Sequence, residues 1–141
     1  MFPLKLFYIT HEIEPGIKAE YWNMDVLAPA GGLKCTGAEM IKYLQAMVQP
    51  ISKESKTIID TLTSTTYPIS PNTSVGRGWH STQLKGKPAV NWHNGGTYGF
   101  STYSAFSRET GHWVMVVVNH FDKNDTVSDV LGRQIMNKML E

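Results

Sequence analysis

The segment Trp92-His93-Asn94-Gly95-Gly96-Thr97-Tyr98-Gly99-Phe100 constrains this chain more than any other stretch. It lies between two runs that read as β-strands, and three glycines fall within six positions after His93. Glycine has no Cβ, so the backbone here can approach another molecule closely. A strand edge with free N–H groups beside an imidazole suits a carbonyl or carboxylate ligand. Taken alone, the same string is also a hairpin-turn signal with a histidine nearby. The rest of the chain has to supply the context.

Around this segment the pattern is that of strands. Val75 to Leu84 is followed by a Lys85-Gly86-Lys87-Pro88 turn and then by Ala89 to Trp92. Thr97 to Ser107 alternates aromatic and small polar residues, and Arg108 to Gly111 turns the chain. His112 to His120 contains Val114-Met115-Val116-Val117-Val118, apolar enough for a central strand buried on both faces.

Helices are expected before and after these strands. Thr36-Gly37-Ala38-Glu39 has capping-box spacing, so a helix should begin at about Gly37 and bury Met40, Leu44, Met47 and Val48, with Pro50 ending it. A second should run from about Lys53 to Leu62 with Ile58, Ile59 and Leu62 inward. Thr63 to Ser74, dense in Thr, Ser and Pro, reads as an irregular crossing. The last helix, about Thr126 to Leu140 and capped by Asp125 or Thr126, collects Val127, Val130, Leu131, Ile135 and Met139. At the other end, Leu4 to Thr10 and Ile17 to Trp22 can pair as a hairpin across Glu14-Pro15-Gly16. The expected architecture is α+β, a twisted antiparallel sheet flanked by helices, in one domain over residues 1–141.

Composition excludes several classes of function. Thirteen basic and 12 acidic residues give a formal charge of +1 with no basic cluster, so neither nucleic acid nor an anionic membrane is an expected partner. No segment has the length of a membrane span. Residues 1–10 are broken by Pro3 and Lys5 and read as a strand, so no export signal is expected in this chain. Cys35, the single cysteine, forms no internal disulfide and is expected to be a buried, inert side chain. The histidines stand apart in sequence and no phosphate-cradling loop is present, so neither a metal nor another cofactor is expected. Many serines are present, yet there is no Ser-x-x-Lys and no Gly-x-Ser-x-Gly.

One family unites these features. Leu27-Ala28-Pro29-Ala30-Gly31-Gly32-Leu33, the helix capped at Thr36, Gly78-Trp79, His93-Asn94-Gly95 and the strand ending Val116-Val117-Val118-Asn119 occur in this order over nearly the whole chain. In that order and spacing the chain resembles the C-terminal part of serine β-lactamase-like hydrolases. That superfamily holds class C β-lactamases, D-alanyl-D-alanine carboxypeptidases, D-aminopeptidases and related esterases, and its members are often periplasmic or secreted.

The resemblance implies a partial fold of that type without its helical subdomain, and a third catalytic motif at His93-Asn94-Gly95 in the His-x-Gly form. His93 would then present a polar or positive group to the nucleophile, Asn94 would line the pocket, Gly95 would let the strand come close, and Thr97 would join them in binding substrate. Gly96 would offer its backbone N–H as half of an oxyanion hole. The family's Ser-x-x-Lys has no counterpart here, and Tyr21-Trp22-Asn23 imitates the second motif only in letters. The expectation is therefore a portion of a hydrolase that acts on an amide or ester of a small molecule or peptide, inactive alone. Its expected partner is the missing N-terminal region or a second copy. Two other readings stay open at this point, a non-catalytic module binding a peptide or carboxylate, and a truncated structural fragment.

Overall fold

A computed structural model describes residues 12–14, 17–18, 23–64, 67–97, 99–119 and 127–141 of the chain. The expected strand at Leu4 to Thr10, the Tyr21-Trp22 pair and the cap at Asp125 or Thr126 lie outside them. Two short strands, β1 (Glu12–Glu14) and β2 (Ile17–Lys18), pair with each other. A single helical turn, α1 (Ala28–Gly31), then occupies the small-residue loop.

Local chemistry dictates the next two helices. In α2 (Gly37–Val48) the Thr36 hydroxyl accepts from the Glu39 N–H at 3.2 Å, and the Thr36 N–H donates to the Glu39 carboxylate at 2.7 Å. That backbone hydrogen bond, with the Thr36 hydroxyl adding to it, holds the Glu39 carboxyl below its ordinary value. A second capping box, Ser52 with Ser55, starts α3 (Lys53–Thr63). Leu44, Met47 and Ile59 are buried, with Met40, Val48 and Leu62 packed beside them, whereas Ile58 points outward. Arg108 reaches from a sheet turn to Asp60 of α3. Hydrogen bonds from Lys56 and then Arg108 keep the Asp60 carboxyl low.

The expected irregular crossing at residues 63–74 is instead partly regular. It contains β3 (Tyr67–Ser70), and β4 (Thr73–Val75) begins within it. Pro68 is tolerated because β3 lies at the sheet edge, where an N–H is dispensable. Then follow β5 (His80–Thr82), β6 (Val90–Thr97), β7 (Phe100–Phe106) and β8 (Trp113–Val118). All six form one antiparallel meander in sequence order. The β6–β7 ladder is the longest, from Asn91↔Phe106 to Thr97↔Phe100, and Gly99 closes its turn at φ 83°. β8 is neither central nor buried on both faces: Val114 and Val116 are buried on one, Trp113 and Met115 are half-buried and Val117 exposed on the other, and among the described residues it pairs only with β7. Apolar composition reports burial of faces and says nothing about which edge is occupied.

One core, around Leu44, Met47, Ile59, Trp79 and Phe106, lies between the sheet and helices α2 and α3. A second lies on the opposite face, where Tyr103, Ala105, Val114 and Val116 meet Met136 of the last helix, α4 (Val127–Met139). Here the sequence expectation reverses. Ser128, Gly132 and Met136 face the sheet, while Val127, Val130, Leu131, Ile135 and Met139 are exposed. Small residues let the helix seat closely over the Tyr103 ring, which leaves the apolar stripe outside. Cys35, expected to be buried, is exposed as well, because it precedes the solvent-facing N-terminus of α2.

Burial is the main influence on the Tyr103 phenol and pushes it up to about 12, against a smaller opposing pull from Arg133. The folded value lies above the unfolded one of about 10. The neutral phenol therefore contributes fully below that pH, and its contribution is lost as pH rises toward the folded value. Urea unfolding compared at about pH 8 and about pH 11 should show a smaller alkaline loss of stability in Tyr103→Phe than in the parent chain.

Candidate functional site

The glycine-rich segment is itself strand, and its surroundings differ on its two edges. Gly76 N–H donates to the Trp79 carbonyl at 2.8 Å, and Gln83 N–H to the Asn72 carbonyl at 2.9 Å. Hydrogen-bonded pairs alternate in an antiparallel ladder, so these two bonds turn the backbones of His80 and Thr82 away from β4 and toward β6. Their partners Trp92 and Val90 face β5 in return. By the same alternation, the N–H and C=O groups of Asn94 and Gly96 project on that side.

The other edge gives the same result. Ser107 N–H donates to the His112 carbonyl at 2.8 Å, which turns Thr102, Ser104 and Phe106 toward β6. They pair with Gly95, His93 and Asn91. The β5 ladder stops at His80↔Trp92, and among the described residues no strand lies along 93–97 on that side. Asn94 and Gly96 thus direct their backbone groups at a free strand edge, where each N–H can donate to a ligand.

Side chains alternate across the sheet as well. His93, Gly95 and Thr97 lie on the face of α2 and α3, and Asn94 and Gly96 on the face of α4. The His93 side chain is exposed; its ring meets Trp79 edge-on at 6.4 Å and lies 6.1 Å from His80. Trp79 is buried, with Phe106 edge-on at 4.9 Å and Tyr43 stacked at 6.5 Å. Burial raises the Tyr43 phenol, with the Trp79 indole N–H opposing the shift. His93 therefore stands at the rim of an aromatic shelf. Among the described residues no carboxylate is paired with His93.

Behind the strand lies a network that the motif does not announce. Asn94 Nδ2 donates to Asp129 Oδ1 at 2.8 Å, and Arg133 Nη2 donates to the same oxygen at 3.4 Å. The Arg133 guanidinium sits 5.1 Å from the centre of the Trp92 ring. Trp92 stacks on His80 at 4.3 Å, lies 6.1 Å from Tyr103, and donates from Nε1 to the Thr82 hydroxyl at 2.9 Å. The i,i+4 spacing of Asp129 and Arg133 marks an ion pair on a helix, but nothing in that spacing points to β6.

The described residues hold no group of three His, Cys, Asp or Glu side chains placed to bind a metal. Two surface grooves, of about 360 Å³ beside Leu131, Ile135 and Met139 and about 510 Å³ beside Asn72, Ser74, Ser81 and Gln83, both lie away from His93. The chemistry at His93 is that of an open strand edge with backbone donors and one imidazole.

A family model described as Beta-lactamase matches residues 8–134. No curated protein matches the chain. Among solved structures, it is similar to a beta-lactamase/D-alanine carboxypeptidase from Yersinia pestis complexed with citrate, at 20% identity and a TM-score of 0.56, over 74% of this chain and 34% of that one. It is also similar to a D-stereospecific amidohydrolase from Streptomyces sp., at 25% identity and a TM-score of 0.46, over 59% of this chain and 25% of that one. The chain therefore spans between a quarter and about a third of the length of these proteins.

Proposed function

The chain belongs to the beta-lactamase family, and from that premise we propose that it supplies one side of a serine-hydrolase site that cleaves an amide or ester through an acyl-enzyme. The observation that carries the reading is the free edge of β6, where the Gly96 N–H projects beside an exposed His93. A backbone N–H at that place stabilises the oxyanion of a tetrahedral intermediate. His93 offers a donor or a positive charge to the reacting centre, and the glycines let the substrate lie close to the strand. Because the 141 residues contain no Ser-x-x-Lys, the nucleophile and its base come from other polypeptide, and the chain alone forms no acyl-enzyme.

Two surfaces favour a partner. The apolar stripe of α4 is exposed, with Val127 at 53% and Val130 at 49%, and β8 presents an unpaired edge among the described residues. The partner in this reading is the remainder of the hydrolase fold, or a second copy in its absence.

Intact mass after exposure to a reactive β-lactam and to a fluorophosphonate tests the proposal. The expected result is no adduct on the chain alone. With a complementing polypeptide that bears Ser-x-x-Lys, a stable complex and one adduct on that polypeptide are expected, formed about 10²- to 10⁴-fold more slowly with His93→Ala. A stoichiometric adduct on this chain alone would overturn the division of roles. The free edge also supports a second reading, strand addition of an extended peptide without chemistry. Peptide binding that persists while every mixture stays unacylated would favour it.

A further inference from the structure

The free edge of β6 raises a mechanical problem. Among the described residues this part of β6 is bonded on one side only, and Gly95 and Gly96 in succession bring no side chains to set its twist. Fixing a residue's backbone costs conformational entropy, and glycine loses more than other residues. An oxyanion donor, however, must be held within a few tenths of an ångström. Something other than the strand has to hold it.

The geometry points to Asn94 as a positioning residue, clamped from behind by Asp129, that sets the direction of the Gly96 N–H. Trp92 and Asn94 flank His93 and both turn to the α4 face. Asn94 is tied to Asp129 at 2.8 Å, and Trp92 lies under the Arg133 guanidinium at 5.1 Å. Asp129 and Arg133 are bonded to each other one helical turn apart, so the two anchors belong to one rigid element. The side-chain amide thus fixes the strand at the last non-glycine residue before the Gly95-Gly96 pair. The Asp129 side chain is only 18% exposed, so water competes weakly for it. The Asn94 side chain lies on the α4 face, opposite His93, so its effect on the free edge passes through the backbone.

The catalytic meaning of this clamp rests on the function proposed above, but its existence does not. Backbone ¹⁵N relaxation of the full chain therefore tests it without activity. In the parent chain the Gly96 N–H is expected to behave as rigid backbone, with an order parameter of about 0.85, and to fall toward about 0.6 or below in Asn94→Ala. Residues of β7 and β8 should be unchanged. The exchanged pair Asn94→Asp with Asp129→Asn rebuilds an amide–carboxylate bond in the reverse sense and should restore the parent value at Gly96, whereas Asn94→Asp alone, which sets one carboxylate against another, should not. An unchanged order parameter at Gly96 in Asn94→Ala, or its loss in the exchanged pair while that protein remains folded, would overturn the clamp. If the clamp holds and the complemented protein still forms no adduct, the functional reading fails and the positioning inference stands.

Discussion

Replacing Gly132 with alanine is expected to destabilise the protein by about 3 kcal/mol, although the same change at most helix interiors is favourable. A Cβ at this position would lie 2.2 Å from Cδ1 of Tyr103 and within 2.9 Å of two further ring atoms. The ring cannot move aside, because it is 2% exposed and lies near-parallel to Trp92 at 6.1 Å. Helix α4 must instead rise off the sheet, which loosens Met136 and draws Asp129 away from Asn94. Urea unfolding followed by tryptophan fluorescence should show a midpoint lower by about 1–2 M, given a usual urea slope for a small domain. A helix-propensity gain is expected at exposed Asn137→Ala. A neutral or stabilising Gly132→Ala would mean that α4 is not seated on Tyr103.

Proline at Gly95 and at Gly96 should produce opposite failures. The backbone of Gly95 faces β7, so Gly95→Pro removes a ladder hydrogen bond and strands the carbonyl of Thr102, a loss of about 3 kcal/mol. The backbone of Gly96 faces the free edge, where proline is compatible with a sheet, so Gly96→Pro should lower stability by only about 1 kcal/mol. In the complemented hydrolase the order inverts for chemistry. Loss of the Gly96 donor is expected to slow acylation about 10²- to 10³-fold in a protein that still folds. Equal destabilisation by the two prolines would refute the assignment of backbone direction, and a folded Gly96→Pro protein with undiminished acylation would refute the role of that N–H.

Legibility in the sequence followed the range of the interaction. The capping box at Thr36 and Glu39 was readable because its partners are three residues apart. Strands β7 and β8 and the start of β6 were readable from their composition and their turns, whereas the glycine-rich part of β6 read as a segment between strands. The hairpin of β3 and β4 was not, since its Ser, Pro and Asn residues favour turns unless a neighbouring strand pairs with them, and β5 lies several residues away. The surroundings of His93 were only half visible. Glycines beside a histidine announce an accessible backbone, but Trp79 and Tyr43 reach it from distant positions.

By itself the sequence determined the α+β class, the capped helix, the strand that carries His93 and the family to which these belong, because each rests on local pattern or on ordered motifs. Only the tertiary structure decided which edge of β6 is free, which face of α4 meets the sheet, and that Asn94 turns away from His93 toward Asp129. Those outcomes depend on strand order and on close packing between residues tens of positions apart. A periodic pattern says that one face will be buried, and only the partner's shape selects which one: at α4 the Tyr103 ring accepted Gly132 and left the apolar stripe outside.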